Sequence, residues 1–431
     1  MARVLLLMTR PLAGAGGRGT VLRTIVDSLA DAGHDVVCAV VGGPARPVPV
    51  DRAVATHRLP DVSWWEVAGG RAARRRGLRS CNERLYYSAR TAAAVRRIAD
   101  AEDVDAVVAD GVRLSALAED CGRPWFVDLD DLLSERYELW RRRRMDLHQL
   151  LGHRRPRSRA AAALLRRVPV GRLLALEARR LRRREDEVAR RAHGTSLVSP
   201  VEAARLAERA GAPVRSLPMA VSARVQRRWS PGAPLDRRLA FPGSLTAFAN
   251  EEAVRWWIDE LEPALRAAGL HGWQLHVFGE VPQAVRARVA APSVVLRGAF
   301  ERERLHAELV QHSFLLAPQR EALGLTVKVV EAAVLGLVPV TTPQGASGMD
   351  VAHGEQLLLF SDGPELARVL STVERWADEG GAPTAALAGR AAAWARAGFA
   401  PQELTRRWAE VVEELVGRGA GHPDLAEGGV R

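Results

Sequence analysis

Cysteine is scarce in this chain, and its scarcity excludes two ways of stabilising a fold. Only three cysteines occur among 431 residues, at Cys38, Cys81 and Cys121, and they form no CxxC pair and no Cys/His cluster. A disulfide framework and a structural zinc site are therefore excluded. Widely spaced thiols are typical of a reducing compartment, so we expect the protein in the cytoplasm.

Long apolar runs are also missing. The N-terminal run Val4–Met8 is only as long as one strand, too short for the apolar region of a signal peptide. No run approaches the roughly 20 apolar residues of a membrane-spanning helix. We expect neither a secretion signal nor a membrane span. A peripheral position at the inner face of the plasma membrane is left open.

Lysine is almost absent, since Lys328 is the only one among 62 Lys and Arg residues. The excess of arginine is concentrated between Arg141 and Arg191, where 18 arginines face five acids. This stretch predicts an anionic partner, either a phospholipid surface or a phosphorylated carrier, and the alternative is a helical face in water. It holds no Phe, Tyr or Trp to stack on bases, so we expect no nucleic-acid partner.

Short apolar runs alternate with helical patterns in two successive halves of the chain. This alternation predicts an α/β fold with two doubly wound parallel sheets. The second half restarts with Arg238–Phe241 after a Pro- and Ser-rich segment, 213–234, that indicates a linker. We predict an N-terminal domain over 1–221, a second domain over 222–395, a helix packing back across the domains over 396–420, and a flexible tail over 421–431.

Glycine-bearing turns follow the strands of the second half. Open α/β sheets bind ligands at the carboxyl ends of their strands, where glycine permits close backbone approach. A helix that begins after such a turn offers free N–H groups to a diphosphate, and the ammonium of Lys328 lies in its first turn. Glu331 shares that face at i and i+3. The alternative is an ordinary amphipathic helix with an exposed ion pair. The turns are Gly243-Ser244, Gly279-Glu280 and Gly324-Leu325-Thr326.

The first half has a weaker signal. Gly14–Gly19 follows a strand and opens a helix, but it lacks the GK[ST] of a P-loop and the acidic partner of a dinucleotide fingerprint. Asp110 ends another predicted strand. It is either a polar residue of an acceptor site or a helix N-cap.

The segment Lys328–Met349, KVVEAAVLGLVPVTTPQGASGM, resembles the donor-site pattern of family 4 glycosyltransferases. Pro242–Arg266 is similar to the first strand and helix of that family's C-terminal half. Phe126–Trp140 and Glu177–Glu202 resemble a subgroup linked to exopolysaccharide and exosortase-associated gene clusters. The likeness covers most of residues 1–415.

The resemblance implies a GT-B fold, with two Rossmann-like domains facing across a cleft. It implies a hexosyl- or other glycosyltransferase that moves a sugar from a nucleotide-sugar donor, with retention of configuration and with no metal or other cofactor. The acceptor would be a glycan, a lipid-linked molecule or a small molecule. Donor-binding roles carry over to Gly16, Gly17, Gly243, Ser244, Asn250, Gly279, Gly324, Leu325, Thr326, Lys328 and Glu331, and we predict catalytic roles for Lys328, Glu331 and Asp110.

Two positions depart from the family pattern. Many members carry a Glu eight residues before Glu331, where this chain has Leu323, and Glu321 lies two residues earlier. Many members clamp phosphate with an Arg and a Lys after the first strand, where this chain has Ala247 and Asn250. Two alternatives stay open. One is a nucleotide-sugar epimerase, since GT-B folds also host such enzymes, and the other is a non-catalytic protein that binds anionic surfaces through the basic stretch.

Histidine and tryptophan give the remaining expectations. No histidine has ligand spacing, so we expect surface or loop positions for His153, His193, His271, His276, His306 and His312. Trp256-Trp257 should pack on the second sheet. Trp64-Trp65 should pack in the core or anchor a loop, with a membrane interface or an acceptor groove as the alternative.

Overall fold

The computed structural model describes residues 1–10, 17–42, 50–69, 74, 77–78, 80–143, 170–221, 223–230, 232, 235–321 and 324–419. The chain divides into two compact units. The first combines Met1–Pro218 with the described residues from Leu404 onward, and the second is Met219–Glu403.

The first unit is built on a seven-stranded parallel sheet in the order β3-β2-β1-β4-β5-β6-β7. Its central strands are apolar runs buried on both faces, as expected for a parallel sheet covered by helices. The strands are β1 Arg3–Met8, β2 Asp35–Val41, β3 Ala55–Leu59, β4 Ala106–Asp110, β5 Trp125–Asp128, β6 Gly194–Leu197 and β7 Arg215–Ser216.

Helices connect these strands in the first unit. One 3-10 turn, Val112–Leu114, follows β4. The core on one side of the sheet joins Leu5 and Leu7 of β1 to Val95 and Leu181 of the helices. The α-helices are α1 Gly17–Asp31, α2 Trp64–Gly69, α3 Cys81–Arg84, α4 Ala89–Ala101, α5 Ser115–Glu119, α6 Leu133–Arg142, α7 Val170–Arg191 and α8 Pro200–Ala210.

The second unit repeats the arrangement with a six-stranded sheet in the order β10-β9-β8-β11-β12-β13. Every strand pair in it is parallel. Because side chains alternate along a strand, Leu239 and Phe241 of β8 enter one core and Ala240 enters the other. The strands are β8 Arg238–Pro242, β9 Gln274–Phe278, β10 Val294–Gly298, β11 Phe314–Ala317, β12 Val338–Thr341 and β13 Leu358–Leu359.

Both faces of the second sheet are covered by helices. A π-helical turn, Trp257–Leu261, separates the first two of them. Trp256 and Trp257 are buried, and both enter the core on the sheet, which confirms their expected packing. The helices are α9 Phe248–Trp256, α10 Glu262–Ala267, α11 Gln283–Arg286, α12 Arg302–Leu309, α13 Val327–Val334, α14 Gly363–Asp378 and α15 Ala382–Phe399.

The last described helix, α16 Pro401–Gly419, returns the chain to the first unit. Trp408 of this helix packs edge-on against Phe126 of β5, with ring centroids 5.6 Å apart. Val411, Val412 and Leu415 are buried with it. The core of the first unit therefore includes residues from the end of the chain.

Three expectations are corrected. The supposed linker 213–234 contains β7, which pairs with β6 as the seventh strand. His276, His306 and His312 are buried, so the expectation of surface or loop positions is wrong for them. Trp65 is 88% exposed, so core packing is wrong for this residue. His153 lies outside the described residues.

Candidate functional site

Two turns at the carboxyl edge of the second sheet are joined by backbone hydrogen bonds. Gly243 follows β8, and its N–H donates to the carbonyl of Phe278 over 2.8 Å. Leu245 N–H donates to the carbonyl of Glu280, also over 2.8 Å. The glycine turns expected from the sequence therefore lie side by side at the edge where parallel sheets bind ligands.

Glycine is required in both turns because of close packing. A Cβ atom on Gly279 would lie 2.5 Å from the carbonyl oxygen of Gly243, well inside van der Waals contact. A Cβ atom on Gly243 would lie 2.8 Å from Nδ2 of Asn250 and 3.0 Å from Nζ of Lys328. The space that a side chain would fill is occupied by an amide and an ammonium.

Lys328 lies in the first turn of α13. Its Nζ donates a 2.7 Å hydrogen bond to Oδ1 of Asn250 and lies 4.0 Å from the ring centroid of Phe241. Burial lowers the pKa of the Lys328 ammonium to about 7, and the nearby carboxylate of Glu331 opposes this shift. An ammonium that is partly shielded from water and whose hydrogen-bond partner is a neutral amide is poised to attract an anion.

Asn250 is held in one orientation. Its Nδ2 donates a 2.8 Å hydrogen bond to the carbonyl of Ser244, so Oδ1 faces Lys328. The hydroxyls of Ser244 and Thr246 are 2.8 Å apart. The turn after β8 therefore contributes an amide and two hydroxyls beside Lys328.

The helix α13 begins directly after Gly324-Leu325-Thr326. Thr326 is the N-cap, yet its side chain makes no capping hydrogen bond. Gly324 has a φ of +73°, and Leu325 is buried. An uncapped N-terminus attracts anions through its N–H groups and dipole. Gly324, Leu325 and Thr326 thus lie at the helix start that also carries Lys328, and their donor-binding role stays a prediction.

Glu331, one turn after Lys328, contacts a histidine. Its Oε1 lies 2.9 Å from Nε2 of His306 on α12. Sequence reasoning missed this partner, because no spacing links residues 25 positions apart. No ion pair within 4.0 Å joins Glu331 to Lys328 in the described chain, so the alternative of an exposed ion pair on this helix is wrong.

A further turn at the same edge follows β12 and lies within Lys328–Met349, the segment that resembles the donor-site pattern. Thr341 ends β12, and its Oγ1 donates a 2.7 Å hydrogen bond to the carbonyl of Ala317. Gly345 N–H donates to Oγ1 of Thr342 over 3.0 Å, and a Cβ on Gly345 would overlap the Thr341 hydroxyl. The glycine in the PQGASG run was the available signal. The position of Leu323 lies outside the described residues, and Glu321 is exposed.

The first unit places Asp110 in a buried ionic cluster. Oδ2 of Asp110 accepts hydrogen bonds from the N–H (3.1 Å) and hydroxyl (2.7 Å) of Thr9. Its Oδ1 lies 2.7 Å from the Arg18 guanidinium. Asp110 ends β4, and the N-cap of the following turn is Gly111. The N-cap interpretation is therefore wrong.

Arg18 links three carboxylates at the carboxyl ends of β4 and β5. Besides Asp110, it contacts Asp128 at 2.9 Å and Asp130 at 3.2 Å. Burial favours a higher pKa for Asp110, but Arg18 and the Thr9 hydrogen bonds lower it overall. Gly17 opens α1 just before Arg18, whereas Gly16 lies outside the described residues.

Two other kinds of site were sought. In the ranges that the structure describes, no group of three His, Cys, Asp or Glu residues is arranged to hold a metal ion. None of the described helices is long and apolar enough to cross a bilayer.

A known protein family matches part of the second unit. Residues 236–374 match the family described as glycosyl transferases group 1. This match spans β8 to α14 and includes every second-unit residue predicted at the site. Among curated proteins, no sequence matches the chain.

Solved structures match nearly the whole chain at low sequence identity. Sucrose-phosphate synthase from Thermosynechococcus elongatus superposes with a TM-score of 0.68 at 14% identity, covering 97% of this chain and 100% of that one. Anabaena HepE in complex with UDP and glucose gives 0.63 at 14% identity, covering 96% and 100%. A mutant of S. aureus TarM in complex with fondaparinux, α-GlcNAc-glycerol and UDP gives 0.62 at 7% identity, covering 96% and 100%. The chain thus has the GT-B fold, and its second unit is similar to the glycosyl transferases group 1.

Proposed function

We propose that this protein is a glycosyltransferase that binds a nucleotide-sugar donor at the carboxyl edge of its second sheet. The observation that carries the proposal is the Lys328 ammonium. It lies at the start of α13, 2.7 Å from a neutral amide oxygen, inside the segment that matches glycosyl transferases group 1. A half-buried cation at the start of a helix whose N-cap side chain makes no capping hydrogen bond is suited to a diphosphate.

Transfer of a sugar breaks its bond to the diphosphate, and negative charge develops on the leaving oxygen. Lys328 and the N–H groups at the start of α13 would stabilise that charge, which is how preorganised cations and dipoles lower a barrier. The glycines at 243 and 279 would let the phosphates approach the backbone. Glu331 would accept hydrogen bonds from the ribose hydroxyls.

The donor class is supported by what the similar structures contain. HepE was solved with UDP and with UDP-glucose, and TarM with UDP and a glycoside. We infer a nucleotide-sugar donor and a glycan, lipid-linked or small-molecule acceptor for this chain. Retention of configuration, transfer of a hexose, independence from metal ions and a place in exopolysaccharide synthesis are finer parts of the same proposal.

Asp110 is assigned a supporting role in this proposal. Its two oxygens are engaged by Thr9 and Arg18, so it would hold the start of α1 against the sheet edge instead of taking a proton from the acceptor. Its contribution to catalysis would come through Arg18 and Gly17.

A second proposal concerns where the protein acts. On α7, the side chains of Arg172, Leu176, Arg179 and Arg183 are exposed along successive turns, and Leu176 is 40% exposed. Arginines around an apolar residue suit the headgroup region of an anionic bilayer. We infer that this face docks on anionic phospholipid, at the inner face of the plasma membrane, where a lipid-linked acceptor would be reached.

A thermal-shift panel of nucleotide sugars tests the donor site, because a true donor stabilises the folded protein by mass action. UDP-glucose is the first donor to test, with uridine as the phosphate-free control. Stabilisation by a nucleotide sugar but not by its nucleoside supports the proposal, and a panel with no shift contradicts it. Incubating the stabilising donor without an acceptor then separates a transferase from an epimerase, since only an epimerase converts the donor alone.

A further inference from the structure

Opposite charges lie one turn apart on α13 and do not pair. Lys328 and Glu331 occupy positions i and i+3, where an ammonium and a carboxylate usually meet on a helix surface. In the described structure, Lys328 instead contacts a neutral amide and Glu331 an imidazole, each from another element. Lys328 donates to Asn250 at 2.7 Å, and Glu331 contacts His306 at 2.9 Å.

His306 is well placed to hold Glu331. The histidine side chain is 6% exposed and the glutamate side chain 17%, so the contact is shielded from water. Leu309 of the histidine's helix packs in one core with Val329 and Ala332 of the glutamate's helix. The contact therefore joins two helices whose spacing is already fixed by apolar packing.

The contact leaves one oxygen of Glu331 available. Oε1 is engaged by His306, and no donor among the described residues reaches Oε2. A glutamate side chain at a helix surface samples several rotamers, and fixing it costs conformational entropy. A histidine that fixes it before the ligand arrives lowers the cost of binding.

We propose that His306 is a positioning residue for recognition of the donor ribose. It holds Glu331 toward the sugar hydroxyls and away from Lys328, so that the carboxylate and the ammonium serve different parts of the nucleotide. This inference rests on the proposed function, because it assumes that a nucleoside diphosphate occupies the site. Without the imidazole, the Glu331 carboxylate loses the orientation in which it would accept hydrogen bonds from the ribose hydroxyls.

The test compares three probes by isothermal titration calorimetry: UDP, 2′,3′-dideoxy-UDP and inorganic pyrophosphate. His306→Phe keeps a ring but removes the nitrogen, whereas His306→Gln keeps a hydrogen-bonding group. We expect His306→Phe to weaken UDP binding about tenfold, the effect of losing one well-placed hydrogen bond. Binding of dideoxy-UDP should change by less than twofold, and His306→Gln should recover most of the loss.

His312→Phe is the matched control. His312 is also buried in the second unit, but it contacts His276 instead of Glu331. We expect it to preserve the preference of wild type for UDP over dideoxy-UDP. If phenylalanine prevents folding at position 306, His306→Ala and Glu331→Gln give the same comparison.

The outcomes separate this inference from the function on which it rests. If His306→Phe keeps the preference for UDP, or weakens all three probes equally, His306 does not position Glu331 and the inference is overturned. If wild type binds UDP, GDP and ADP no better than their nucleosides, the proposed donor site is overturned as well. If His306→Phe weakens binding of UDP alone, the one probe with ribose hydroxyls, and His306→Gln recovers that binding, the inference and the proposed donor site are both supported.

Discussion

Oδ1 of Asn250 accepts a 2.7 Å hydrogen bond from Nζ of Lys328. The single lysine of the chain is thus held by an amide, which adds no charge, and not by a carboxylate, which would neutralise it. Removing the ammonium with Lys328→Ala should lower the turnover of a nucleotide sugar by about 10²–10³-fold, as when one preorganised group is lost from the stabilisation of a leaving group. Steady-state kinetics measure the effect. Arg255→Ala, which removes an exposed cation of the same unit, is the control and should leave turnover unchanged.

The cost of burying that ammonium should appear in the stability of the unliganded protein. The pKa of Lys328 is lowered to about 7 in the folded state from an ordinary value of 10.5. Between these values the unfolded chain binds more protons, so the unfolding free energy rises with pH, and the penalty is complete below about pH 7. Lys328→Met should therefore raise Tm at pH 7 by about 2–4 °C per kcal/mol recovered, and the gain should shrink toward pH 10. A gain that does not depend on pH contradicts the burial argument.

Donor binding should take up a proton at mildly alkaline pH. A diphosphate stabilises the charged form of Lys328 and raises its pKa in the complex. Above pH 7 the unliganded lysine is increasingly neutral, so affinity for a nucleotide sugar, whose diphosphate stays fully ionised over this range, should fall as the pH rises above 7. Titration at pH 8 in two buffers of different ionisation enthalpy measures the uptake. Lys328→Met should show none, whereas a wild-type affinity that stays flat to pH 9 contradicts the prediction.

Gly243 should tolerate no side chain. A methyl group there would lie 2.8 Å from Nδ2 of Asn250 and 3.0 Å from Nζ of Lys328, so both must move. Gly243→Ala should weaken nucleotide-sugar binding about tenfold or more, as expected when the groups that contact a ligand are displaced. Gly389→Ala is the matched control, since a Cβ there meets nothing within 4 Å. Equal affinities in the two variants would show that the turn after β8 does not contact the donor.

Acid should destabilise the second unit through a buried histidine pair. Nε2 of His312 lies 3.1 Å from Nδ1 of His276. Burial lowers the pKa of both histidines, that of His276 to about 4. The unfolded chain takes up these protons near pH 6.5, so stability is fully present above that pH and is lost as the pH falls toward 4. Tm measured from pH 7 to 4.5 should fall less steeply in His276→Gln than in His271→Gln, which changes an exposed histidine.

The exposed face of α7 predicts binding to anionic vesicles. Each basic residue near such a surface contributes about 1 kcal/mol. The triple change of Arg172, Arg179 and Arg183 to Gln should therefore reduce flotation with phosphatidylserine vesicles by about a hundredfold in partition coefficient. The control changes Arg255, Arg266 and Arg288, which pair with carboxylates in the second unit. If wild-type protein stays in the bottom fraction of the gradient and does not float with the vesicles, docking by this face is excluded.

Most strands were predictable because buried parallel strands are short apolar runs. The runs Val4–Met8 and Arg238–Phe241 fall within β1 Arg3–Met8 and β8 Arg238–Pro242. β3, with the sequence ATHRL, was missed because it lies at the sheet edge and carries polar, partly exposed residues. β7 was missed because two residues within a Pro- and Ser-rich segment give no periodicity. Edge strands depend on a neighbour, which local sequence does not encode.

The site was predictable where it depends on local sequence. Lys328, the glycine turns and the start of α13 follow from one motif and from the rule for strand ends. His306 was not predictable, because its contact with Glu331 depends on the packing of α12 beside α13. Asn250 was noted only as a departure from a family pattern, since the orientation of an amide is set by its hydrogen bonds. The Arg18 cluster likewise joins residues up to 112 positions apart.

The return of α16 to the first unit has a consequence for synthesis of the chain. Trp408 contacts Phe126, and Leu404 to Leu415 supply buried residues to that unit. A ribosome must therefore make all of Met219–Glu403 before the first unit can acquire its last helix. Until the second unit has left the ribosome, Phe126 lacks its aromatic partner Trp408. The first unit therefore cannot finish folding before the second is synthesised, unlike the usual co-translational order in which the N-terminal domain folds first.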